Sequence, residues 1–115
     1  MGIFRRNEIT LNRVHDTVRV REGKEVLTLH VDGDAMRMVA GLNAAQKRLQ
    51  GLQEGSTDNE MREAARYFAS VIFGGLQAGE LMNFYRNDAA CVVNVCGRYF
   101  SQRLSKLIEK AQKRK

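Results

Sequence analysis

The stretch TVRVREGKEVLTLHVDGD, residues 17–34, decides the fold. Val18 and Val20 alternate with Thr17, Arg19 and Arg21, and Leu27, Leu29 and Val31 alternate with Thr28 and His30. A period of two predicts two strands, each with one apolar face. Glu22-Gly23-Lys24-Glu25 between them is a polar, glycine-containing connection of hairpin length. Upstream, Ile9 and Leu11 suggest a third strand. A hairpin alone is marginal in water, so this one must lay its apolar face on other elements.

The period changes at Asp32-Gly33-Asp34. With Asp34 as N-cap, Ala35, Met38, Leu42, Ala45, Leu49 and Leu52 recur at helical spacing, widened by Met36 and Val39. This predicts a first helix ending near Gly55, with a stripe that suits an antiparallel helix partner or an oligomer seam. Thr57-Asp58-Asn59-Glu60 reads as a capping box for a second helix, whose buried side is Met61, Ala65, Phe68 and Ile72. Gly74-Gly75 stops it, because glycine readily takes the left-handed conformation at a helix end. A short helix over Gln77 to Tyr85 follows, broken at Arg86-Asn87. Asp88 then caps a last helix that runs to the C-terminus, with Ala89, Val92, Val93, Cys96, Tyr99, Phe100, Leu104, Leu107, Ile108 and Ala111 on its apolar stripe. That helix would extend roughly 40 Å at a rise of about 1.5 Å per residue, so its basic end is expected to project.

The predicted architecture is α+β, mainly α. An N-terminal β-hairpin, about residues 9–31, packs on a bundle of three to four helices over about 35–115, all within one domain spanning 1–115. The absence of proline favours long helices. Seven of the eight aromatic residues fall between Tyr67 and Phe100, which centres the core there.

The net charge of +6 resembles a nucleic-acid signal until it is mapped. Residues 98–115 hold seven basic side chains against the single acid Glu109, and the rest of the chain is balanced. Lys106, Lys110, Lys113, Arg114 and Lys115 form this basic end, and the first four lie on one side of a helix. Such a face can meet phosphates or an acidic partner, or simply oppose the helix dipole. No aromatic residue follows Phe100 to stack on bases, so a solvated or protein-facing role is preferred to nucleic acid.

Catalytic and metal constellations are weak. His15-Asp16 lies at the expected start of a strand and His30 at an outward position, neither with a nucleophile or ligand nearby in sequence. Cys91 and Cys96 are five apart on one helix, pointing away from each other, with no CxxC spacing. They read as small core residues in a reduced setting rather than a disulfide or zinc pair. Asp32-Gly33-Asp34 lacks the remaining ligands of a calcium loop, and Gly74 to Gly79 lacks the lysine and hydroxyl of a phosphate loop. No enzyme activity, cofactor or metal is expected. Arg5 and Arg6 are followed by no apolar leader segment, and no apolar run reaches membrane-spanning length, so a cytoplasmic location is expected.

The segment Ala69-Ser-Val-Ile-Phe-Gly-Gly-Leu-Gln-Ala-Gly-Glu-Leu-Met-Asn-Phe-Tyr85, with Ile72-Phe73-Gly74 as its specific motif, resembles the helix, Phe-Gly turn and short helix of small tail assembly chaperones from long-tailed bacteriophages and prophages. The phrase Ile9-Thr-Leu-Asn12 ahead of a β element, the acid-capped first helix and the lysine-rich end are similar as well. Cys96-Gly97-Arg98-Tyr99-Phe100 has no counterpart in that pattern. The resemblance implies a cytoplasmic factor, absent from the mature virion, that coats the tape-measure protein, keeps its apolar helices from aggregating and helps recruit tail-tube protein. In such families a longer form made by translational frameshift is common. A homo-oligomer is expected as well, on the apolar stripe of the first helix. Leu42, Leu49 and Leu52 on the first helix and Leu104, Leu107 and Ile108 on the last are then the expected interaction residues. The alternative is a small nucleic-acid-binding or regulatory protein that uses the basic helix.

Overall fold

The computed structural model describes residues 13–52 and 55–113. Two antiparallel strands, β1 (Arg13–Glu22) and β2 (Glu25–Asp34), precede helices α1 (Ala35–Gln50), α2 (Asp58–Phe73) and α3 (Gly75–Phe84). The last helix is unbroken but mixed: α4 (Ala89–Tyr99) passes through one π-helical turn (Phe100–Leu104) into α5 (Ser105–Lys113). The fold is α+β and mainly α, as the periodicity predicts. The third strand suggested by Ile9 and Leu11 lies outside the described residues, as do Arg114 and Lys115.

The hairpin turns on Gly23, whose φ of +63° places a positive angle at the first central position of a two-residue connection, where glycine costs least. Val18 pairs with Leu29 and Val20 with Leu27 across the strands. Val14, Val18, Val20, Leu29 and Val31 are buried beneath the sheet, and Leu27 is half-buried there. Full burial of a Leu or Val is worth about 1.5–3 kcal/mol, so this face supplies the apolar part of the hairpin's attachment to the helices.

Each helix boundary has a local cause. Asp34 Oδ1 accepts from the Arg37 amide at 3.1 Å and starts α1. That helix ends at Gln50, capped by Gly51, earlier than the expected end near Gly55, and leaves Leu52 beyond it. The Thr57–Glu60 capping box is present in both directions, at 3.2 and 3.0 Å. Gly74, at φ +87°, separates α2 from α3. Arg86 and Asn87 both hold left-handed conformations, and their amides return to the Asn83 and Met82 carbonyls at 3.0 and 2.7 Å. This is a Schellman ending with arginine in the place glycine usually takes. Asp88 then accepts from the Ala90 and Cys91 amides.

The π turn sets the register of the last helix. Val92, Cys96 and Tyr99 are buried at ordinary α spacing, but the next buried residue is Leu104, five positions on. The Ser105 amide reaches back to the Phe100 carbonyl, inserting one residue into the helix. The insertion brings Leu104, Ile108 and Ala111 back onto the core and turns Arg103 outward. The last helix therefore does not project as expected: at its far end Ile108 and Ala111 are buried, with contacts to α1 and β1.

Buried residues from every element form one cluster in which Leu29, Leu81 and Leu104 are wholly enclosed. Small residues allow close helix approach. A Cβ built on Gly41 of α1 would lie 2.7 Å from Val71 Cγ1 of α2, inside van der Waals contact.

Candidate functional site

Asp16 lies in the interior of β1, not at the strand boundary expected for it. The period of two puts it on the same face as Val14 and Val18, and its side chain is only 11% exposed. A carboxylate there needs partners, and the last helix supplies them. The Tyr99 hydroxyl donates to Asp16 Oδ2 at 3.0 Å, Arg103 Nη2 donates to Oδ1 at 2.5 Å, and the Thr17 amide donates to Oδ1 at 2.8 Å. Burial, reinforced by the neighbouring carboxylate, pushes the Tyr99 hydroxyl well above its ordinary range, so it stays a donor.

Two members of this triad, Tyr99 and Arg103, also line a groove of about 470 Å³ between β1 and the last helix. Arg19 and Arg21 stand on its strand wall, Arg98 and Arg103 on its helix wall, and Tyr85 at one end. Arg103 is committed to Asp16. Arg19, Arg21 and Arg98 have no ion-pair partner among the described residues.

A second concave feature is apolar. Val39 and Leu42 of α1 face Phe100 and Ile108 of the last helix across a cleft of about 200 Å³. Phe100 is 37% exposed: one residue after Tyr99, it lies about 100° further round the helix, at the margin of the buried stripe. Met36, 54% exposed, lies alongside with its sulfur 3.9 Å from Gln112 Nε2.

The sequence-predicted interaction residues divide between core and surface. Leu104 is fully buried and Ile108 nearly so, because the π turn carries both onto the hairpin side of the helix. They hold this chain's own core, and only Ile108 touches the edge of the apolar cleft. Leu42 and Leu107 are half-buried against the core, and Leu49 and Leu52 are half-buried near the end of α1. Lys106, Lys110 and Lys113 are exposed, and Lys113 pairs with Glu109 at 3.1 Å. Asp16, Tyr99 and Phe100 carry more of the site geometry than the leucines do.

Other candidates fall to structural roles. His15 Nδ1 is 3.5 Å from Asp32 Oδ1, on the outer sheet face, where Arg13 grips the same oxygen at 2.8 Å and holds that carboxyl below its usual range. His30 is exposed, as its outward strand position predicts, and only its backbone is engaged. Cys96 is buried, which pushes its thiol up to about 12, and Cys91 is half-buried; both are free. Among the described residues there is no group of three or more His, Cys, Asp or Glu side chains placed to hold a metal. No helix among them is long and apolar enough to cross a membrane.

Comparison of the chain with protein-family models, with curated proteins and with solved structures gives no match.

Proposed function

We propose that this chain is a non-enzymatic assembly chaperone of phage or prophage tails, acting in the host cytoplasm by binding the tape-measure protein. The observation that carries the reading is the apolar cleft between α1 and the last helix, with Phe100 and Met36 exposed beside it. An open seam between two helices accepts an apolar side chain from a client helix, and methionine adapts to clients of varied shape. The local resemblance around Ile72-Phe73-Gly74 supports the same reading: Ile72 and Phe73 end α2 and are buried, while Leu76, just beyond the Gly74 break, is 83% exposed.

Coexpression with the tape-measure protein encoded alongside it should raise that partner's soluble fraction, and Phe100→Glu should remove the gain. An unchanged soluble fraction with the native chain contradicts the proposal. The nucleic-acid alternative has exposed Lys106 and Lys110 in its favour. It requires oligonucleotide binding at low salt that weakens steeply as salt rises.

A further inference from the structure

The two edges of the hairpin are not alike. In a two-residue hairpin closed by Glu22 and Glu25, the backbone groups of Val14, Asp16, Val18, Val20 and Glu22 face β2. Those of Thr17, Arg19 and Arg21 therefore face away from it, and on β2 the same holds for His30. The β2 edge is covered at His30: its amide donates to Gln77 Oε1 at 2.7 Å and its carbonyl accepts from Gln77 Nε2 at 2.6 Å. On β1, the Thr17 amide is satisfied by Asp16, and the Arg21 carbonyl accepts only a long 3.5 Å bond from Tyr85. Between them, the Arg19 N–H and C=O have no hydrogen-bond partner among the described residues. They open onto the arginine-walled groove.

We propose that this groove binds an extended, acidic segment of a partner protein, added to β1 as a further strand. The segment bonds to the Arg19 backbone, its outward carboxylates meet Arg19 and Arg21, and its inward side chains meet Val95 and Arg98. Charge complementarity selects this occupant. A second copy of the chain, paired through the same edge, would set these arginines against their own counterparts, which is how natural edges resist self-pairing. Nucleic acid would find the phosphate contacts but poor stacking, because Tyr99 is 4% exposed with its hydroxyl committed to Asp16, and Tyr85 is half-buried with the Phe84 ring set edge-on against it. The site is separate from the apolar cleft and holds whether or not the client is a tape-measure helix.

The test is a 1H–15N titration of the full chain with three probes: an end-blocked peptide of alternating Glu and Val, its Lys-for-Glu counterpart, and oligothymidine. The acidic peptide should shift the amides from Thr17 to Arg21 and those of Val95 and Arg98, and protect the Arg19 amide from exchange. The Arg19→Glu/Arg98→Glu variant changes two exposed side chains, and its spectrum reports directly whether it is folded. It should lose about tenfold or more in affinity for the acidic peptide and prefer the lysine peptide. N-methylation of alternate peptide amides should abolish binding. Absence of shifts on β1, undiminished binding of the acidic peptide by the folded variant, or tighter binding of oligothymidine at the same amides would each overturn the proposal. So would retained binding of the N-methylated peptide, which would show charge attraction without strand addition.

Discussion

Tyr99 and Asp16 are joined by a 3.0 Å hydrogen bond that ties the middle of the last helix to the inner face of β1 across 83 residues of sequence. Arg103 reaches the same carboxylate from the π turn, so hairpin and helix are locked by one polar cluster inside an otherwise apolar contact. Tyr99→Phe should lower unfolding free energy by about 1 kcal/mol, the net worth of one hydrogen bond. Asp16→Ala should cost about 2–3 kcal/mol, because it leaves the Tyr99 hydroxyl and the Arg103 guanidinium without their acceptor. In urea denaturation the double variant should fall short of the sum of the two losses. Strict additivity would mean that the bond contributes nothing.

The π turn makes an unusual demand on deletions. Removing exposed Gln102 takes out the inserted residue and leaves Leu104 and Ile108 in register with Val92 and Cys96. That variant should keep a cooperative transition with a loss of about 1 kcal/mol, near the typical effect of a single change. Deleting exposed Asn94 from α4 instead rotates everything after it by about 100° and should abolish the native near-ultraviolet signal. Equal damage from the two deletions would contradict the register argument.

Gly41 is required by proximity. Gly41→Ala should destabilise by about 1–3 kcal/mol through overpacking on Val71. Val71→Ala in the same chain should recover most of that loss by removing the atoms the new methyl strikes. A thermal melt of the pair checks both, and a neutral Gly41→Ala would show that the helices separate at little cost.

The thiols give a pH signature. Burial pushes Cys96 up to about 12, whereas in the unfolded chain it ionises near its ordinary 9. Above that value the unfolded state binds fewer protons than the folded state, so stability should fall as pH rises from about 9 towards 12. Cys96→Ala should flatten that slope. At neutral pH a thiol reagent should modify half-buried Cys91 first and reach Cys96 only on unfolding. Rapid modification of both in the folded chain would place Cys96 outside the core.

Most of this fold is legible in the residues themselves. Alternation from Thr17 to Val31 specifies the hairpin, and Asp34, Thr57, Glu60 and Asp88 announce three helix starts by chemistry that acts within a single turn. Where reading fails, the cause is not local. Helical spacing alone places Leu104, Leu107 and Ile108 on a continuous stripe, and nothing nearby in sequence marks Phe100–Leu104 as π-helical; only the packing of Leu104 and Ile108 against the hairpin requires it. Asp16 was more accessible to inference. Extending the alternation two residues back from Val18 puts an acid among inward valines, and such an acid implies a distant donor, although not which one. The arginine groove depends on how the hairpin meets the last helix and has no signature in the sequence.

A client helix seated in the cleft between α1 and the last helix would leave a footprint in hydrogen–deuterium exchange on the complex with the coexpressed tape-measure protein. The amides of Met36 to Asn43 and Phe100 to Gln112 should gain protection in the complex, and Phe100→Glu should eliminate that gain. Protection confined to other surfaces, with those two segments unchanged, would mean that the client binds elsewhere.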